Sequence, residues 1–189
     1  SHKMPLGTNT LNFDDEVQRL REKREELLDK VAALDPDNPE AARLEQRGQN
    51  IDDYLAGLRW ARDEAYEDPD VSVWDADADA VTLCGLTGGE YAGVEDDVRS
   101  AALEREQASA SGTSRVYMVA HGTVDAPYHD EDYSDAELLA ATQQLPYQFL
   151  KWAEMHINRM TTVGGQEGNQ SFSAAVAERR REMSTGEPN

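Results

Sequence analysis

The residues of this chain best suited to chemistry are two histidines and three aspartates in one short stretch. They are His121, Asp125, His129, Asp130 and Asp132. Imidazole nitrogens and carboxylate oxygens are ligands for divalent metals, so the stretch could hold such a cation. The histidines, however, lie eight residues apart, which fits no standard ligand spacing. A metal-dependent enzyme using His121 and His129 is therefore the alternative interpretation. The preferred interpretation has no metal or other cofactor.

The remaining reactive side chains favour structural roles. Cys84 is the single cysteine, so no intrachain disulfide can form, and no cation or histidine beside it would activate its thiol. His156 shares an apolar helical face with Trp152 and Met160, which is typical of a core histidine. No nucleophile elbow or phosphate-binding loop occurs. We predict that the protein has no catalytic residues and is not an enzyme.

The charge balance is strongly acidic and poor in lysine. Asp and Glu total 38 against 18 Lys and Arg, a formal charge of −20, and the lysines are only Lys3, Lys23, Lys30 and Lys151. At about 1 M salt the Debye length falls to roughly 3 Å, so carboxylates that repel in dilute buffer are screened. This composition is typical of halophilic archaea. It disfavours nucleic acid as a partner, because phosphates need a basic surface.

The same charge imbalance makes the stability of the fold depend on salt. We expect the midpoint of thermal unfolding, followed by circular dichroism, to rise between dilute buffer and molar potassium chloride. The physical reason is that unscreened repulsion among the excess carboxylates destabilises the compact state. A midpoint that stays constant over that range would contradict salt adaptation.

Two heptad patterns predict an antiparallel helical hairpin over residues 4–67, after a tag remnant at residues 1–3. The first seam runs from Phe13 to Leu34, with Asn12 as its N-cap, and the second runs from Leu44 to Ala65. Between them, the prolines of residues 35–39 stop one helix and start the next.

The sequence pattern of residues 68–165 predicts an α-rich core domain with short strands. Val71–Trp74 and Val81–Leu86 favour a short β-hairpin, and Thr87–Glu90 and Ser134–Glu137 match capping boxes that open helices. A further helix follows Pro146, and residues 166–189 predict a flexible C-terminal tail. The fold class is mainly α.

The apolar seams of the hairpin must meet either the body of the protein or another chain, and the sequence leaves both open. The predicted partner-binding residues are Val17, Leu20, Leu27, Val31, Ile51, Leu55, Leu58 and Trp152. The expected partner is another protein or a second copy of this chain. A halophilic regulator that dimerises through the hairpin would share these features.

Three segments carry a family resemblance: Leu83–Tyr91 (LCGLTGGEY), Val116–Pro127 (VYMVAHGTVDAP) and Leu145–Asn158 (LPYQFLKWAEMHIN). They resemble tail-assembly proteins of haloarchaeal tailed viruses and proviruses, of the kind grouped with tail assembly chaperones. The resemblance implies a small helical protein that escorts the tape-measure protein. A structural neck or tail component of the virion is an alternative, because it would share the same composition. The hairpin before Asp68 departs from the compact pattern of the family, which leaves the choice of partner open.

The sequence also indicates a location. No apolar run approaches the roughly 18 residues of a membrane span, and no signal peptide follows Met4. We expect the protein in the cytoplasm of a high-salt host, or associated with a virion, without contact to a membrane.

Overall fold

The structure is a computed structural model that describes residues 6–74, 77–104, 110–162 and 172–185. Within these ranges it is mainly helical with one small antiparallel sheet, which confirms the predicted fold class. The strands are β1 (Leu6–Asn12), β2 (Ala80–Gly85) and β3 (Thr123–Asp125); the helices are α1 (Phe13–Ala32), α2 (Pro39–Arg59), α3 (Gly88–Glu104), α4 (Ala110–Gly122), α5 (Asp135–Gln143), α6 (Tyr147–Thr161) and α7 (Phe172–Thr185).

The predicted caps of the hairpin and of the later helices are confirmed. The side chain of Asn12 accepts a hydrogen bond from the Asp15 amide at 3.1 Å, and α2 begins with Pro39 after the cap Asn38. Both capping boxes form their two reciprocal bonds, joining Thr87 to Glu90 and Ser134 to Glu137. After Arg59 the chain continues through a π-helical turn, Trp60–Glu64, and a 3-10 turn, Ala65–Glu67.

The sheet uses a different strand from the one that the sequence predicts. β2 lies in the centre and pairs with β1 on one side and β3 on the other, so Leu6–Asn12 supplies a strand inside the segment assigned to the hairpin. The prediction of a strand over Val71–Trp74 is wrong. There the carboxylate of Asp68 accepts from the Asp70 amide, and its carbonyl accepts from the Val71 amide, so the chain turns instead of extending.

One hydrophobic core runs through the hairpin and the rest of the chain. Leu20 and Leu58 of the hairpin belong to the same cluster of buried side chains as Val81 and Trp152. Together with the pairing of β1 and β2, this means that the boundary predicted after residue 67 does not separate two independently packed units. Among the described residues, no helix combines the length and the apolar character that a membrane crossing requires.

The C-terminal part of the chain is partly helical. Within the predicted flexible tail, residues 166–189, residues 172–185 form the helix α7. The largest apolar side chains of α7, Phe172 and Met183, are exposed. The rest of the predicted tail, and the predicted tag remnant at residues 1–3, lie outside the described residues.

Candidate protein-binding groove

The histidine stretch does not assemble into a metal centre in the described ranges. His129 lines a cavity of about 290 Å³ with Asp125 and Asp130, whereas His121, in the last turn of α4, is not part of its lining. No group of three His, Cys, Asp or Glu side chains within residues 6–74, 77–104, 110–162 and 172–185 could share a metal ion. The alternative enzyme interpretation therefore finds no ligand set in this part of the protein.

A polar cluster surrounds the buried carboxylate of Glu16 on α1. Its Oε2 atom accepts from Trp152 Nε1 at 3.1 Å and from His156 Nε2 at 2.9 Å, both on α6. Arg19 donates to both carboxylate oxygens, at 3.2 and 2.9 Å. Because an ionised carboxylate only accepts hydrogen bonds, Nε2 of His156 carries the proton in this contact. The cluster joins α1 to α6.

The ionised state of the Glu16 carboxylate indicates a structural role. Burial alone would raise its pKa, but hydrogen bonds from His156, Arg19 and Trp152 outweigh burial and lower the pKa to about 2. A general base works best with a pKa near the pH of the reaction. Glu16 is therefore poorly suited to act as a general base, and its ionised side chain links α1 to α6.

The predicted partner-binding residues lie mostly in the core of the monomer. Seven of them are at most 5% exposed: Val17, Leu20, Leu27, Ile51, Leu55, Leu58 and Trp152. Only Val31 is half-buried. The reason is that α1 packs on α2 and α2 packs on α6, so the two seams face each other and the body. The prediction that these side chains form an exposed binding stripe is corrected accordingly.

A groove nevertheless runs along the outside of the seam between α1 and α2. We call it the hairpin groove. Its proximal part, of about 550 Å³, is lined by Arg21, Glu22, Arg24, Glu25, Asp52, Leu55 and Arg59. Its distal part, of about 240 Å³, is lined by Arg24, Leu27, Leu28, Val31, Leu44, Glu45, Gly48, Gln49 and Asp52. On α1 the lining runs from Arg21 to Val31, a step of ten residues. At about 1.5 Å per helical residue, the groove extends about 15 Å along this helix.

The distal part of the hairpin groove has an apolar surface. Leu27 and Leu44 are buried at its floor, Val31 is half-buried, and Leu28 is 46% exposed. Glu45 and Gln49 stand at its edge. An apolar centre with a polar rim is the arrangement found at protein interfaces.

Gly48 lies in the middle of α2 and opens the distal part. A Cβ atom at this position would meet no atom within 4 Å, so the packing of the monomer does not require glycine here. Glycine inside a helix costs about 1 kcal/mol relative to alanine. The residue therefore lowers the stability of α2 without serving a close contact inside the chain, while it leaves room on the wall of the groove.

An ion pair connects the two parts of the hairpin groove. Arg24, the polar position of the first seam, donates to Asp52 across the hairpin at 2.7 Å. The hydrogen bond to Asp52 raises the pKa of Arg24. Asp52 lies next to the seam residue Ile51, and both side chains of the pair remain partly exposed in the groove.

Sequence reasoning identified Leu27 and Val31 but missed Leu28 and Gly48 as groove residues. Leu28 follows a seam leucine directly, which widens the apolar stripe beyond a narrow heptad seam. Gly48 occupies a seam position where an apolar side chain is expected, which was the signal available in the sequence.

Comparisons with known proteins add no relative: no family model matches the chain, and neither the curated proteins nor the solved structures contain a significant match.

Proposed function

We propose that the protein is a non-enzymatic binding factor whose hairpin groove holds an amphipathic helix of another polypeptide. The observation that carries the proposal is Gly48, a helix-interior glycine that the fold does not need and that widens the distal groove. Such a position is unfavourable for the monomer alone. It becomes useful when a second helix packs against α2.

The shape and chemistry of the hairpin groove support a helical occupant. A groove of about 15 Å accommodates between two and three helical turns, since one turn rises about 5.4 Å. Its apolar distal part suits the apolar stripe of an amphipathic helix, and the arginines and carboxylates of its proximal part suit the polar flank. The exposed Leu28 would become buried in such a complex.

The context that we propose is tail assembly in a virus or provirus of a halophilic archaeon. It is supported by the resemblance of residues 83–91, 116–127 and 145–158 and by the net charge of −20. The occupant would be a helix of the tape-measure protein, which the chain would keep from aggregating in the host cytoplasm. A neck or tail component that stays in the virion is the alternative use of the same groove.

The identity of the occupant can be established by crosslinking. A photoreactive amino acid replaces Leu28 in the chain produced in its high-salt host, and Leu103, an exposed leucine on α3, is replaced in the matched control. The proposal expects a covalent adduct with one foreign polypeptide at the first position and none at the second. An adduct of two copies of this chain would instead make the hairpin groove a dimer interface.

Replacing Gly48 with alanine should separate stability from binding. We expect Gly48→Ala to raise the free energy of unfolding by about 0.5 to 1 kcal/mol, because it removes the helix penalty of glycine. We expect it also to weaken binding of the crosslinked partner, because the added methyl group points into the hairpin groove. Urea unfolding gives the first quantity and titration calorimetry the second.

Gly93→Ala is the matched control for this variant. Gly93 lies inside α3, and a Cβ atom there also meets nothing within 4 Å. Gly93→Ala should stabilise the fold to a similar extent as Gly48→Ala and leave the affinity for the partner unchanged. If Gly48→Ala binds the partner as tightly as Gly93→Ala does, the hairpin groove is not the binding site.

A further inference from the structure

The side of the hairpin that faces α6 carries a second depression with an unusual charge. We call it the cationic cleft. It has a volume of about 120 Å³ and is lined by Arg19, Leu20, Lys23, Leu27, Arg47, Asn50, Ile51, Tyr54, Met155 and Arg159. Four of these residues are cations and none is acidic, in a chain whose Asp and Glu outnumber its Lys and Arg by 38 to 18.

Three of the four cations have no carboxylate partner among the described residues. Arg19 pairs with Glu16, but Lys23, Arg47 and Arg159 form no ion pair within 4 Å in this part of the chain. By contrast, the proximal part of the hairpin groove balances its arginines with as many carboxylates. The cationic cleft thus brings together three cations that no carboxylate of the described residues pairs with.

A lysine lies beside the cleft, and a tyrosine lines it. Lys151 of α6 has its Nζ atom 6.0 Å from the ring centroid of Tyr54 and donates to Asn50 Oδ1 at 2.9 Å. Its charge is balanced by Asp53, whose Oδ2 atom lies 2.6 Å from Nζ.

Burial raises the pKa of Tyr54, and the nearby carboxylates of Glu154 and Asp53 act in the same direction, while the charges of Lys151 and Arg159 lower it. The phenol therefore stays protonated at neutral pH, and its O–H group is a hydrogen-bond donor beside the cations.

We propose that the cationic cleft binds a carboxylate side chain of an acidic polypeptide segment. Guanidinium groups match the planar geometry of carboxylates and bind them in a bidentate manner. At about 120 Å³ the cleft is small, which suits a single side chain better than a longer segment. The apolar side chains of the lining, such as Ile51 and Met155, suit the aliphatic part of that side chain.

The surroundings favour a carboxylate over a phosphate. Phosphate sites commonly use the free backbone N–H groups at a helix N-terminus. The residues of the cationic cleft lie within α1, α2 and α6, where those groups are already bonded inside the helices. Recognition here depends on side chains alone, and it takes place on a different side of the hairpin from the hairpin groove. The inference therefore stands or falls separately from the proposed function.

The test uses a short fluorescent peptide of glutamate and alanine, which presents carboxylates but no leucine stripe that the hairpin groove could bind. Its binding is measured by fluorescence anisotropy in molar potassium chloride, where repulsion from the acidic surface is screened. Removal of two charge-assisted contacts in the double variant Arg47→Gln, Arg159→Gln should weaken binding about tenfold. The variant Arg179→Gln, Arg180→Gln, which changes net charge equally on exposed positions of α7, should bind as the wild type does.

Two competitors identify the chemistry. The same peptide with glutamine in place of glutamate should not bind, and sodium tripolyphosphate should not displace the acidic peptide. The inference is overturned if the acidic peptide fails to bind, or if the two double variants bind it with equal affinity. It is also overturned if tripolyphosphate displaces the peptide from the wild type but not from the Arg47, Arg159 variant, since the cleft would then be a phosphate site.

Discussion

Gly57→Ala is expected to lower the free energy of unfolding by about 3 kcal/mol, the upper end of what overpacking usually costs. Gly57 lies where α2 crosses the first turn of α6. A Cβ atom there would come within 2.5 Å of Gln148 C and Phe149 N and within 2.7 Å of Gln148 O. Because these are backbone atoms, the overlap can be relieved only by moving one helix away from the other.

The effect of Gly57→Ala is measurable by urea or thermal unfolding. For a chain of this size, about 3 kcal/mol corresponds to a fall in the melting temperature of about 6 to 12 °C. Gly48→Ala is the control on the same helix, because an added Cβ at that position meets open space and should stabilise. If the two variants change stability in the same direction, α2 and α6 do not approach each other as closely as described.

Glu16→Ala is expected to destabilise the fold by about 3 kcal/mol, because buried hydrogen-bond donors that lose their acceptor each cost about 1 to 3 kcal/mol. The substitution would leave the N–H groups of Trp152 and His156 without the acceptor that they share. Glu26→Ala, an exposed position on the same helix, should change stability by less than about 0.5 kcal/mol. Equal losses in urea unfolding would mean that the Glu16 cluster does not hold α1 to α6.

The stabilisation by Glu16 should also depend on pH. Its pKa is about 2 in the folded protein against an ordinary value of 4.5, so folding favours the ionised form. The contribution is therefore complete above about pH 4.5 and is lost as the pH falls towards 2. The difference in unfolding free energy between wild type and Glu16→Gln should shrink over this range. A difference that stays constant from neutral pH to pH 2 would show that the ionised carboxylate is not the stabilising species.

Local signals in the sequence predicted where the helices begin. The pairing of strands that lie far apart in the sequence could not be predicted in this way. Asn12, Thr87 and Ser134 cap the helices that follow them, because a cap depends on only three or four consecutive residues. The strand Leu6–Asn12 is mostly polar, and only its pairing with β2, some seventy residues away, makes it a strand. Val71–Trp74 is apolar enough for a strand, but the turn at Asp68 buries Val71 and Trp74 without extending the chain.

The candidate site was less predictable than the fold. The heptad identifies which residues of α1 and α2 are apolar, but only the tertiary structure shows that Leu58 and Trp152 are buried in the core while Leu28 borders an open groove. The cationic cleft was even harder to predict from the sequence. Lys23, Arg47 and Arg159 come from three helices, so no local pattern of charge marks them as neighbours.

Whether the hairpin groove holds a helix of another polypeptide is tested most directly by the affinity of Gly48→Phe for the partner crosslinked at Leu28. The large side chain would fill the distal groove, whereas Gly93→Phe places the same ring on the exposed surface of α3. Titration calorimetry in molar salt should show no measurable binding for the first variant and wild-type affinity for the second. Wild-type affinity for Gly48→Phe, in a protein that remains folded, would contradict the account.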